Sequence, residues 1–220
     1  MKTFLALAGL SLIVCSCSKT NKLDGFEGDI TMHTTSAGTS QDMVVEVKKD
    51  QLRFDMNSPQ GGAMHGVFDP KANKVTLYAD ATKTYTDMDF SGPSGKTNTN
   101  PDTSSITQSG KHETIAGYDC EDWTVNDPSG KKSEVCIAQG IAFFDIGSLR
   151  GGAPASGSAI ATQFREKKSF PLKSIEYDAS GKEKSRMEVA KIESKSIDDS
   201  RFAAPADYTK LTLPPDPSRK

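Results

Sequence analysis

Residues Gly28 to Met56 read GDITMHTTSAGTSQDMVVEVKKDQLRFDM, and their rhythm decides the fold class. Phe26, Gly28, Ile30 and Met32 fall on one side of an extended chain, while Glu27, Asp29, Thr31 and His33 fall on the other. That alternation of apolar and polar residues is the mark of a half-buried β-strand. Ser36 to Ser40 form a turn, after which Met43, Val45 and Val47 alternate with Val44, Glu46 and Lys48. Lys49-Asp50-Gln51 form the next turn, and Leu52, Phe54 and Met56 alternate with Arg53 and Asp55. Three strands with connections this short leave no room for a crossover, so they form an antiparallel meander.

The rhythm continues downstream. His65–Phe68, Lys74–Ala79 and Lys83–Phe90 read as three more strands, with Asp69 to Asn73 and Asp80 to Thr82 between them. Residues 91–110 hold almost no apolar side chains and read as a long mobile loop. Tyr118–Val125 and Lys131–Ile137 flank the turn sequence Asn126-Asp127-Pro128-Ser129-Gly130. Ala138 to Leu149 reads as a short helix or an apolar loop, Ala159 to Lys167 as two turns of helix, and Leu172–Tyr177 and Lys182–Ile192 make a last hairpin. The expected fold is mainly β: one large curved antiparallel sheet of about ten strands, a half-barrel with one or two short helices.

The other end of the argument is the N-terminus. Lys2, the apolar run Phe4 to Val14 and the small Ser16 have the order of a secretory signal peptide, and the run is too short to span a bilayer. Val14-Cys15-Ser16-Cys17 resembles the lipobox of bacterial lipoproteins, with Cys17 as the lipid-attachment residue. The domains are then 1–16 as signal peptide, 17–24 as lipidated tether, 25–213 as the folded domain and the proline-rich 214–220 as a disordered tail. Acyl chains on Cys17 would hold the protein to a membrane. Ser18, rather than Asp, after that cysteine favours the outer membrane facing the periplasm, by resemblance to lipoproteins of Gram-negative bacteria.

Cys120 and Cys136 remain as an even pair in an oxidising compartment and are expected to form a disulfide across the hairpin. With Asn126 opposite Gly130 they lie directly across from each other; another turn register would offset them. Without the signal, Lys2 leaves the 27 Lys and Arg residues, so 26 stand against 29 Asp and Glu. That balance excludes a globally basic nucleic-acid binder.

Several patterns that suggest chemistry fail on spacing. Gly95-Lys96-Thr97 has Phe90 where a phosphate loop needs glycine. His33, His65 and His112 share no ligand spacing with the cysteines, so no metal and no cofactor are expected. No nucleophile stands beside a base, which argues against an enzyme. Asp87/Asp89 and Asp198/Asp199 read as solvated faces or turn caps. Met32, Met43 and Met56 share the inward faces with Phe26, Ile30, Val45 and Phe54. Two readings stay open for them: plain core, or the lining of a cavity for a lipid or acyl chain. Trp123 packs inward on the disulfide hairpin or stacks on a ligand.

The strands Gly28 to Met56 resemble the start of the lipoprotein-carrier half-barrel superfamily that includes the LolA and LolB localisation factors. IAGYDCEDWTV (Ile115 to Val125), FPLKSIEYDASGKEKSRMEV (Phe170 to Val189) and DDSRFAAPADY (Asp198 to Tyr208) resemble a bacterial family described only as a domain of unknown function. The resemblance implies an incomplete barrel around an apolar cavity, and no established activity. It points to a non-catalytic periplasmic binding protein for a lipid, an acyl chain or part of a lipoprotein. The alternative is an envelope interaction or sensor module with no small ligand.

Overall fold

The computed structural model describes residues 23–57, 62–72, 74–89, 105–126, 131–141, 164 and 166–211, with the side chains of residues 56, 57 and 89 left aside. The signal peptide, Cys17 and the tail 214–220 lie outside the described residues. Twelve strands form one open, curved sheet. They are β1 (Gly28–Ser36), β2 (Thr39–Lys48), β3 (Gln51–Asn57), β4 (Ala63–Asp69), β5 (Lys74–Ala79), β6 (Thr84–Asp89), β7 (Ser105–Ile115), β8 (Tyr118–Asn126), β9 (Lys132–Gln139), β10 (Ser169–Tyr177), β11 (Glu183–Ser194) and β12 (Thr209–Lys210).

The order across the sheet is β12-β6-β5-β4-β3-β2-β1-β11-β10-β9-β8-β7. The chain therefore starts in the middle, meanders to one edge, passes to the other edge and meanders back to pair β11 with β1. All these pairings are antiparallel except the last, in which β12 runs parallel to β6. Two strands exceed the ten expected. β7 includes residues 105–110, assigned above to the mobile loop; its alternation is hidden because both faces are polar and exposed. β12 is two residues long, too short to show any period.

The inward row is continuous. Ile192, Ile30, Val45, Phe54, Gly66 and Leu77 stand opposite one another across β11, β1, β2, β3, β4 and β5. Ile30, Val45, Phe54, Phe68 and Val75 are buried, each contributing roughly 1.5–3 kcal/mol through removal from water. Gly66 is required by this row: a Cβ there would lie 2.3 Å from Phe54 Cζ. Leu23 is also buried, packed under Gly140.

The other face of the N-terminal half has its own row: Asp29, Glu46, Arg53, Val67, Thr76 and Asp87. A C-terminal strap, residues 195–211, runs along it. Lys195 Nζ lies 2.6 Å from Asp29, Arg201 grips Glu46 at 2.6 and 3.0 Å, and Lys210 Nζ lies 2.8 Å from Asp87. Asp198 caps the 3-10 turn Asp199–Phe202 through the Ser200 N–H, and Asp199 pairs with Lys48 and Lys49. Under this strap the outward-facing Arg53, Val67, Thr76 and Tyr78 become buried.

Candidate functional site

The residues expected to line a cavity are distributed between two clusters. Ile30, Met32, Val45 and Phe54 belong to the main core, with Phe26 and Met43 partly buried against it. Phe26 precedes β1 rather than lying on it. The Met56 side chain is outside the described residues. Trp123 is elsewhere. On β8, odd and even positions point to opposite faces, so Trp123 turns away from Cys120. It joins Val135, Ile137 and Phe164 in a second apolar cluster, with Ile106 and Val125 half-buried at its margin. The Phe164 ring tilts 59° to the indole at 5.7 Å between centroids. Trp123 is therefore buried on the side of the β8–β9 hairpin opposite the disulfide, in register through Val135, Ser174 and Met187 with Thr34, which shares the face of Met32 on β1.

Cys120 and Cys136 are joined, with a Cα–Cα distance of 5.3 Å. They are not directly opposite. Asp122 faces Cys136, and Asn126 pairs with Lys132, so the turn is two residues longer than the register with Asn126 opposite Gly130. The bridge therefore runs diagonally across the hairpin. Beside it, Lys173 Nζ lies 2.6 Å from both carboxylate oxygens of Glu113 and 3.9 Å from Asp122. The lysine holds the Glu113 carboxyl below its ordinary range, while burial and the Glu113 charge push Asp122 up. Glu113, Asp122 and Cys136 form a cluster with metal-like proximity. The sulfur is already in the disulfide and the ammonium of Lys173 occupies the carboxylates, so the group reads as an ion-pair network.

Two open hollows lie outside both clusters. One, of about 250 Å³, is formed between the strap and β3–β6, with Phe202, Val67, Tyr78 and Tyr85 as its apolar wall. The other lies at the β10–β11 turn beside Lys132 and Tyr177. None of the expected lining residues borders either one. His65 lies near the first hollow, stacked on Tyr78 at 4.5 Å with Nδ1 3.0 Å from Asp80. Burial lowers its pKa, aided by the Arg53 charge. Asp80 also accepts from the Tyr208 hydroxyl at 2.7 Å. Nothing local in the sequence marks His65 as part of such a group, because its partners arrive from β5 and from the strap. His33 and His112 instead make exposed cross-strand pairs with Asp42 and Asp119.

Gly95-Lys96-Thr97 and residues 142–149 fall outside the described residues. Among those described, no helix is long and apolar enough to cross a membrane.

The chain is similar at low identity to several solved structures. An uncharacterised conserved protein from Thermus thermophilus is 10% identical, with a TM-score of 0.50 over 85% of this chain and 90% of that one. MucB of Pseudomonas aeruginosa, solved in complex with MucA, is 14% identical with a TM-score of 0.46, and this chain spans 62% of its length. A DUF1329 family protein from Desulfovibrio piger is 10% identical, with a TM-score of 0.25 over 82% of this chain and 91% of that one. No curated protein matches the chain in sequence. Residues 26–208 match the family described as a domain of unknown function, DUF4412, and the chain belongs to that family.

Proposed function

We propose that this chain is an exported, lipid-anchored and non-catalytic binding protein of the cell envelope, whose ligand is hydrophobic: a lipid or an acyl chain. The observation that carries the reading is an open sheet with two separate apolar clusters, the second with Ile106 and Val125 only partly buried. An apolar surface that a fold leaves incompletely covered is a place for a ligand to complete. Anchoring through Cys17 and a periplasmic address follow from the lipobox and the signal peptide, and mass spectrometry of the mature N-terminus tests them.

The ligand reading is tested on mature chain covering residues 18–220, exported and purified without detergent. A co-purifying lipid near one per chain, or saturable uptake of a hydrophobic fluorescent dye, is the expected result. An empty protein that takes up no dye overturns it.

A second reading, protein interaction, is favoured by β7. It closes one end of the sheet order and is exposed along most of its length. The Ala116-Gly117 turn has positive φ at both residues, a two-residue hairpin turn. Ile115 then exchanges bonds with Tyr118, and Glu113 with Cys120, so His112 and Thr114 direct their N–H groups away from β8. An extended peptide could add there as a further strand. Thr114→Pro removes one outward donor and would abolish a partner found by crosslinking in cells.

A further inference from the structure

The second cluster contains a polar atom without a partner. Trp123 is 4% exposed, and among the described residues its indole Nε1–H has no hydrogen-bond acceptor. A buried donor left unpaired is costly, and most such groups in folded proteins find a partner. Val135 and Ile137 from β9 and the Phe164 ring pack against it, with Ile106 and Val125 half-buried beside them, and Gln108 on β7 is its cross-strand partner. The site therefore combines a greasy wall with one directional donor, the composition of pockets that seat a hydrophobic molecule and orient it by a single polar group. The half-buried Ile106 and Val125 lie on β7 and β8, at the end of the sheet order.

We infer that this cluster is the ligand site and that Trp123 Nε1 donates to the oxygen at the head of an acyl chain, as a carboxyl or an ester carbonyl. The proposal rests on the hydrophobic-ligand reading above and sharpens it: a pure hydrocarbon fills the wall but leaves the indole unpaired. A free fatty acid and an esterified lipid offer the same acceptor, and the probes below separate them.

The chain has a single tryptophan, so ¹⁵N labelling gives one indole N–H resonance. The 18–220 chain is titrated with methyl palmitate, palmitate and hexadecane. Methyl palmitate, palmitate or both should saturate at one per chain and move the indole resonance downfield; whichever binds tighter identifies ester or acid. Hexadecane should bind more weakly and leave the indole hydrogen bond unmade. Trp123→Phe keeps the apolar ring and removes the donor, and should weaken the preferred oxygenated probe about tenfold while sparing hexadecane. Val125→Arg at the half-buried rim should block all three, which keeps the proposal testable if Trp123→Phe folds poorly.

Tight binding of methyl palmitate or palmitate with an unmoved indole resonance overturns this site while leaving the hydrophobic-ligand reading intact. Equal affinity for hexadecane overturns the role of the donor. No binding of any probe, in a protein that also carries no lipid from the cell, removes both.

Discussion

At the scale of single residues, the fold depends on size as much as on polarity. Gly66 is buried opposite Phe54 because the phenyl ring occupies the space a side chain would take. Gly66→Ala should cost about 1–3 kcal/mol by overpacking, read as a lower midpoint in urea unfolding. Adding Phe54→Leu should recover part of that loss, since the clash is with the ring tip. Tyr208 offers a second test. Its hydrogen bond to Asp80, together with burial, raises the phenol pKa to about 12. The folded state therefore favours the neutral phenol, so this contribution is full below the ordinary value near 10 and is lost as pH rises toward 12. Tyr78 and Tyr177 are raised as well, so ultraviolet titration of the five tyrosines should show a late component that shrinks by one tyrosine in Tyr208→Phe.

At the scale of elements, the strap is the least self-sufficient part of the structure. It contributes only the two-residue β12 to the sheet and is held chiefly by pairs of opposite charge along one row of the sheet. Lys48 and Lys83 hold Asp199 and Asp207 below the ordinary carboxylate range. For Glu46, burial pushes upward but is outweighed by Arg201 and Arg53, and its pKa is also lowered. Groups lowered in this way stabilise the folded state above their unfolded values, and that stability is lost as pH falls through the folded ones. Hydrogen-exchange protection of the Thr209 and Leu211 amides, which bond to Lys83 and Tyr85, should therefore fall below about pH 4 and at 1 M salt. Arg201→Ala should reproduce the effect at neutral pH, costing roughly 1 kcal/mol, the upper end for a partly exposed bidentate pair. Unchanged protection in that variant would show that the strap is held by its apolar contacts at Phe202 instead.

At the scale of the whole molecule, the disulfide ties the β8–β9 hairpin on one face while the Trp123 cluster packs the other. The closed interval spans 16 positions, and loop-closure entropy puts its worth at about 3 kcal/mol. Cys120→Ser with Cys136→Ser should lower the melting temperature and the urea midpoint by a corresponding amount. The hairpin should also lose exchange protection before β1 and β2, which pair at the centre of the sheet. Simultaneous loss across both regions would mean that the sheet unfolds as one unit.

Strict alternation from Gly28 to Met56 determined the meander and its inward face, because one strand register buries Ile30, Val45 and Phe54 together and a slip of one exposes them all. The disulfide pair Cys120 and Cys136 was equally local and equally legible. β7 and β12 were not, since a strand polar on both faces, or two residues long, carries no period to read. The strap's row of ion pairs joins residues more than a hundred positions apart, such as Arg201 with Glu46. The contact of Trp123 with Phe164 likewise joins residues far apart in the chain. Those features were decided by tertiary structure alone, because contacts between distant strands leave no periodic trace along the chain.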